Sequence, residues 1–324
     1  MLRTGGLRRW RGLGYAVAMR GVWAIGLYVV CVFAGAGLLS PVVWWGAHAA
    51  AEAIPGVPGL VWVDHPFSRY VHRCLLGLAV VGLLPLTRAL GLRTWQEVGF
   101  GKVPGRGRRV WMGVIAAWVG CSVLVVWEIL SGTRVWKEGM SLGKVFAGLF
   151  QAGASGVVVA VIEEAVFRGV LWKGLQSSLG GGASVVVSSV IYALSHFLGR
   201  PEMGGEIGWG SGFEMLIRML AGEGSKAAWI PGVLTLFLLG VLFSLSFWRE
   251  GTLYFAMGVH GGVVVWGKLR AVLTRTREGV SVSSDPLSGW VTFGLAIAAI
   301  WVYGVWQGRE GKKFGRVLVR NETN

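Results

Sequence analysis

Long apolar runs, broken by short basic or glycine-rich connections, set the pattern of this chain. About 20 predominantly apolar residues cross a bilayer as a helix. Eight stretches meet or approach that length, at 20–45, 72–92, 109–130, 145–175, 183–199, 230–248, 251–268 and 289–307. The fourth exceeds one crossing, which predicts a tilted or broken helix. The fifth is near the lower limit for spanning. The pattern predicts an all-α polytopic membrane protein, a bundle of about eight transmembrane helices. A single transmembrane domain is expected over 21–307, between a basic tail at 1–20 and a second basic tail at 308–324.

The longest connection follows His196. Within it, Ser211–Ala221 repeats apolar residues at roughly helical spacing. A helix lying along the membrane surface is the expected form. A lid over a cavity is the alternative.

Composition narrows the class. Apolar residues make up 54% of the 324 and charged residues 15%, against about 25% charged in a soluble domain. Disordered chains are poor in apolar residues. Collagen needs Gly at every third position, a period that the 53 glycines here lack. Small residues instead recur four apart, as in Gly148, Ala152 and Gly156, and in Gly258 and Gly262. Such faces let helices approach closely in lipid. Cys31, Cys74 and Cys121 lie in separate apolar stretches and read as packing residues, with neither a disulfide framework nor a zinc knuckle. Trp44, Trp45, Trp111 and Trp229 stand near span ends, as interfacial anchors do.

The net charge of +15 raises the question of nucleic acid. The loops hold no aromatic-basic recognition motif, so no nucleic-acid partner is expected. In an apolar chain, basic loops set topology. With both termini cytoplasmic, 19 of the 31 Lys and Arg residues fall inside. The segment from Lys268 to Arg277 runs against this bias, with four basic residues on the other face. The basic start and Ala47-His48-Ala49 mimic a signal peptide, but the apolar run exceeds a typical h-region of about 7–15 residues. The expectation is an integral protein of the inner or plasma membrane, with both termini cytoplasmic.

Ionisable groups at membrane depth are costly and point to function. Here they are Glu128, Glu163, Glu164, Arg168, His196 and His260. Glu128, near the end of its stretch, is expected to reach the interface. On an α-helix, Glu164 and Arg168 share a face at the favoured i, i+4 order for an ion pair. Glu163 points about 100° away and needs water, another partner or a proton. A buried ion-pair network joining helices is the structural alternative. His196 and His260 lie in separate stretches and can converge with the glutamates on one polar cavity. Gly261 and Gly262 are expected to leave room for a substrate backbone beside His260. His48, His65 and His72 lie in or beside one loop and read as solvated.

Glu-Glu-x-x-x-Arg at 163–168, aromatic-x-x-x-His at 192–196 and His260 in a later apolar stretch resemble the motifs of a known family. It is the type II CAAX prenyl endopeptidase and bacteriocin-processing family. The motif-bearing resemblance covers 145–270. It implies an eight-helix glutamic intramembrane protease. In that scheme Glu163 is the catalytic carboxylate, and Glu164 and Arg168 complete the first motif. His196 helps to hold the water and His260 lines the oxyanion site. Two positions depart from the family pattern. Tyr192 stands where the second motif usually begins with Phe, which keeps the ring. Val264 stands where the last motif usually has Asn, so an amide donor is missing. Losing one oxyanion donor costs about 10²–10³ in rate.

The expected activity is hydrolysis of a peptide bond at or in the membrane, without a cofactor. The expected partners are the lipid bilayer and a membrane-associated peptide or protein substrate. Other protease classes lack their residues. No HExxH is present. The only aspartates, Asp64 and Asp285, lie in loops. Ser195 and His196 are sequence neighbours that splay apart. Three readings stay open beside the glutamic protease. One Glu and two His could bind zinc. The chain could be a non-catalytic family member, a scaffold or bacteriocin-immunity protein, which Val264 favours. Charged helix residues also mark proton paths in transporters, although no paired inverted hydropathy pattern is evident.

Overall fold

The apolar stretches are helical in the computed structural model, which describes residues 5–54, 63, 65–221, 226–280 and 289–304. Of 5–20 and 226–229 only the backbone is described. The basic tail at 308–324, Asp64, Asp285 and the Trp229 side chain lie outside the described residues.

The helices are α1 (Gly5–Ala53), α2 (Phe67–Ala89), α3 (Arg106–Leu130), α4 (Leu142–Glu164), α5 (Lys173–Leu179), α6 (Gly181–Ser195), α7 (Ser211–Ala221), α8 (Lys226–Glu250), α9 (Tyr254–Leu273) and α10 (Gly289–Gly304). The described residues are all-α apart from one short antiparallel pair, β1 (Arg134–Trp136) with β2 (Thr274–Thr276). The apolar pattern does not predict that pair. Among the described residues, five helices are long and apolar enough to cross a membrane: Gly21–Ala53, Phe67–Ala89, Arg106–Leu130, Leu142–Leu179 and Ile230–Glu250. The fourth is the over-long stretch expected from sequence. It is α4 continued through a π-helical segment, Ala165–Trp172, into α5. α6 has 15 residues and rises about 22 Å, less than the ~30 Å hydrocarbon core.

Contacts divide the chain into two units, Met1–Val98 with Val166–Gly224, and Gly99–Ala165 with Ser225–Asn324. In the first unit, Val32, Ala36, Phe67, Val71, Met215 and Met219 form a buried core. α7 contributes the two methionines, so its inner face is part of that core. A Cβ on Gly212 would lie 1.9 Å from the Gly37 carbonyl oxygen, which shows how closely α7 is laid on α1. Ile217 and Leu220 are exposed on its other face. His48 and His72 lie beside the loop, within α1 and α2, and are half-buried rather than solvated.

The second unit is organised around α9, which packs on both α3 and α4. The close approaches fall where the sequence has glycine. A Cβ on Gly258 would meet the Val110 carbonyl oxygen at 2.1 Å, and one on Gly113 would meet the Phe255 carbonyl oxygen at 2.5 Å. On the α4 side, a Cβ on Gly156 would meet Val265 at 2.6 Å, and one on Gly148 would meet Val272 at 2.9 Å. This is small-residue helix packing of the kind lipid-embedded bundles use. It corrects one expectation. Gly261 and Gly262 do not open space for a substrate. A Cβ on Gly262 would meet that of Ala117 at 2.8 Å, and one on Gly261 would lie 3.3 Å from the Gly156 carbonyl oxygen. Both glycines serve contacts with α3 and α4.

The start of α9 is held by Gly99, whose φ of 107° suits glycine. A Cβ there would meet Phe247 at 2.7 Å and Leu253 at 2.8 Å. The Leu253 amide donates to the Gly99 carbonyl at 3.1 Å, and the Tyr254 hydroxyl donates to the Gly101 carbonyl at 3.1 Å. These bonds fix the helix that carries His260.

Candidate active site

His260 lies two turns into α9 and is 5% exposed. One face of its ring stacks on Phe243 of α8, with centroids 5.5 Å apart and planes 6° from parallel. Glu163 and Glu164 end α4. Nδ1 of His260 lies 2.8 Å from Oε1 of the fully buried Glu164. A carboxylate accepts and does not donate, so the proton of this bond belongs to Nδ1. Nε2, on the opposite edge of the ring, lies 3.7 Å from Oε2 of Glu163. That is beyond direct hydrogen-bond distance, yet one group of reacting atoms can engage both. Glu163 keeps 29% of its side chain exposed, against none for Glu164. The two adjacent carboxylates therefore differ in setting. One orients a histidine from a sealed position, and the other is partly exposed, with Oε2, the oxygen toward His260, buried.

Arg168, Tyr192 and His196 belong to the other unit. Arg168 is fully buried within the π-helical segment. The wider π turn alters the α-helical spacing that the sequence reading assumed beyond Glu164. The Arg168 guanidinium carbon sits 4.3 Å from the centroid of the Tyr192 ring and 5.7 Å from that of Phe167. Phe167 meets Tyr192 edge-on at 5.2 Å. The aromatic residue of the second motif is thus a cation–π platform for the arginine of the first. His196 follows the last turn of α6 and is exposed. Its Nδ1 lies 2.8 Å from the Tyr192 carbonyl oxygen, which makes Nδ1 the protonated nitrogen in the neutral ring and leaves the lone pair on Nε2.

Glu128 does not reach outward as expected. It is 5% exposed. Its carboxylate is gripped by Arg270, with Nε 2.7 Å from Oε2 and Nη2 on Oε1. Arg134 in turn donates through Nε to the Thr274 hydroxyl at 2.8 Å. Part of the basic segment at 268–277 is therefore neutralised within the protein. Among the described residues, no group of three or more His, Cys, Asp and Glu side chains is placed to hold a metal ion.

Sequence reasoning did not single out Phe243 or the ring role of Tyr192. Phe243 sits in an apolar run whose period carries no mark of a site. Tyr192 gave the only signal, an aromatic four residues before a histidine.

Comparison with known proteins supplies the frame. Residues 145–266 match the family described as Type II CAAX prenyl endopeptidase Rce1-like, the family that the motifs resemble. Glu163, Glu164, Arg168, Tyr192, His196, His260 and Val264 all lie within the matched segment. No curated protein and no solved structure matches the chain.

Proposed function

We propose that this integral membrane protein, which carries a CAAX-type endopeptidase domain at 145–266, cleaves peptide bonds at or in the membrane with water activated by Glu163. The observation that carries the reading is the pair of contacts made by His260, 2.8 Å to Glu164 on one edge and 3.7 Å to Glu163 on the other. Glu163, the more accessible carboxylate, takes a proton from water as general base. The water oxygen attacks the carbonyl carbon, and the displaced electron pair moves to the carbonyl oxygen. His260, charged and held by the Glu164 carboxylate, donates from Nε2 to that oxyanion. Collapse expels the amine, which takes the proton from Glu163. Glu164 is a positioning residue, in the way a buried carboxylate orients a catalytic imidazole. Arg168 anchors the motif helix on Tyr192. His196 enters through the motif order, as the second holder of the water through its Nε2 lone pair. No metal or cofactor is required. The substrate is a membrane-associated peptide or protein, and the protein resides in the inner or plasma membrane with both termini cytoplasmic.

The test uses purified, reconstituted protein and a membrane-anchored peptide. Glu163→Gln is expected to lower turnover by at least about 10²-fold, the lower end of what a positioned base contributes. Undiminished turnover overturns the assignment. Chelation is expected to leave the wild-type rate unchanged. Loss on chelation with recovery on zinc makes this a zinc-dependent protease.

Val264 favours a second reading, a family member that binds without cutting, as scaffold or bacteriocin-immunity protein. Cellular peptide termini that are identical with the wild type and with Glu163→Gln decide for it. Under the protease reading, the two sets of termini differ.

A further inference from the structure

Nε2 of His260 has to point at the reacting atoms within a fraction of an ångström. The bond between Nδ1 and Glu164 restrains one edge of the ring. It leaves the ring able to tilt about the line of that bond, because a hydrogen bond resists bending at the donor far more than rotation about its own axis. A flat neighbour removes this freedom. Phe243 of α8 is 1% exposed. Its ring lies 6° from parallel to the imidazole, with centroids 5.5 Å apart, as in offset-stacked aromatic pairs. A tilt of the imidazole drives one of its edges toward the phenyl face, in an interior packed as densely as an organic crystal.

The stack is held from α3. Arg109 bonds the Glu250 carboxylate at 2.6 Å. Glu250 follows Phe243 by seven residues, two turns on and on the same face of α8. Tyr303 of α10 donates to the same carboxylate at 3.1 Å. Val110, next to Arg109 in α3, is the residue against which Gly258 of α9 packs. Arg109 and Val110 thus fix α8 and α9 relative to one another, and Phe243 and His260 ride on those two helices. Within α8, the Ser246 hydroxyl donates to the Phe243 carbonyl at 2.8 Å.

We infer that Phe243 is a positioning residue for hydrolysis: it sets the plane of the His260 ring while Glu164 sets its edge, so that Nε2 meets the oxyanion already aimed. The inference rests on the protease reading, in which His260 touches the reacting atoms. Aim of this kind matters to rate, since a displacement of about 1 Å can cost about 10²-fold. It matters more here because Val264, one turn further along α9, offers no donor. The stabilisation of the oxyanion then falls more heavily on His260.

The test is steady-state hydrolysis of a membrane-anchored peptide by the reconstituted full chain, with the unfolding midpoint measured on the same preparations. Phe243→Leu keeps an apolar side chain without a flat face. Its kcat is expected to fall about 10–100-fold with KM within about twofold, the pattern of an interaction that acts in the transition state. Phe243→Met carries the same expectation and takes its place if Phe243→Leu does not fold. Phe243→Tyr keeps the flat face and is expected to recover most of the rate. Phe255→Leu is the control for packing. Phe255 is a buried ring of α9 stacked on Tyr303 with centroids 5.1 Å apart, and it lies about 140° around the helix from His260. Phe255→Leu is expected to lower the unfolding midpoint about as much as Phe243→Leu and to leave kcat within about twofold of wild type. An undiminished kcat in Phe243→Leu, a loss matched by Phe255→Leu, a loss carried by KM, or no recovery in Phe243→Tyr overturns the positioning role. Glu163→Gln in the same assay separates the two failures. If it turns over like the wild type, the protease reading falls and this inference with it. If it is inactive while Phe243→Leu keeps its rate, the inference alone falls.

Discussion

Nδ1 of His260 and Oε1 of Glu164, 96 residues apart in sequence, lie 2.8 Å from each other in a pair sealed from solvent. Such a pair holds a proton on Nδ1 and fixes which way Nε2 faces. Glu164→Gln keeps the shape but offers a neutral amide in place of the carboxylate. The amide can donate as well as accept, so the bond no longer holds the proton on Nδ1. Turnover is expected to fall about 10–100-fold, the usual cost of an orienting partner, mostly in kcat with KM little changed. Steady-state kinetics check the split. The 15N shifts of His260 give a second readout, and a ring with an unaltered tautomer and charge after the substitution contradicts the positioning role.

The Arg168 guanidinium carbon lies 4.3 Å from the centroid of the Tyr192 ring, four residues before His196. Tyr192→Phe keeps the ring beneath the guanidinium and Tyr192→Leu does not. Tyr192→Leu is expected to lose about 1–2 kcal/mol more stability than Tyr192→Phe, the range for a desolvated cation–π contact. Unfolding by a denaturing detergent, followed by tryptophan fluorescence, compares the two. Equal midpoints argue against the platform role.

The legible part of this protein was the part with a single cause. Helices follow from apolar runs because a bilayer leaves backbone groups no other partner, and each of the eight expected stretches is helical over most of its described length. Glu163, Glu164 and His260 stood out because ionised groups are rare at membrane depth. What the sequence hid were choices between partners. Arg270 was available to Glu128, but nothing in the spacing joins positions 142 apart. Gly261 and Gly262 could serve a substrate or a neighbouring helix equally well on sequence grounds. The register of α9 against α3 and α4 decides for the helices. The π-helical segment after Glu164 escaped because it changes the turn without changing composition.

Thr94 and Glu97 form a reciprocal cap before the π-helical turn Gln96–Phe100. The Glu97 carboxylate accepts from the Thr94 amide at 2.8 Å and the Arg93 amide at 2.6 Å. These backbone bonds hold its pKa below the ordinary 4.5. The sign follows directly. A depressed carboxyl contributes stability that is fully present above pH 4.5 and is lost as pH falls through the lower folded value. Titration of the Glu97 carboxyl carbon by 13C NMR is expected to give a midpoint below 4.5. Thr94→Ala, which removes the return bond to the Glu97 amide, is expected to shift the midpoint upward. A Glu97 midpoint at or above 4.5 would falsify the cap.

Glu128 and Arg270 make a paired contact with the carboxylate 5% exposed. Removing one member strands the other, at a cost of about 3–5 kcal/mol for a buried pair. Arg270 keeps 29% of its side chain exposed, so the lower end of that range is expected for Glu128→Gln. Glu128→Leu combined with Arg270→Met leaves neither charge unpaired and is expected to recover most of the loss. A double-mutant cycle on the unfolding midpoint reads the coupling. Strictly additive single effects mean the pair contributes nothing beyond its parts.

Gly258 and Gly267 lie on the same helix and make opposite predictions. A Cβ on Gly258 would come within 2.1 Å of the Val110 carbonyl oxygen and 2.9 Å of its carbonyl carbon, whereas one on Gly267 meets nothing within 4 Å. Backbone cannot yield as a side-chain tip can, so Gly258→Ala must push α9 away from α3. Overpacking of this kind costs about 1–3 kcal/mol. Because His260 is half a turn further along, the displacement also lengthens its contact with Glu164. Gly258→Ala is therefore expected to lose both stability and turnover. Gly267→Ala removes only the conformational freedom of glycine in a helix, a gain of up to about 1 kcal/mol, and leaves turnover unchanged. If both alanines behave alike in the detergent-unfolding assay, α9 is not held against α3 by this approach.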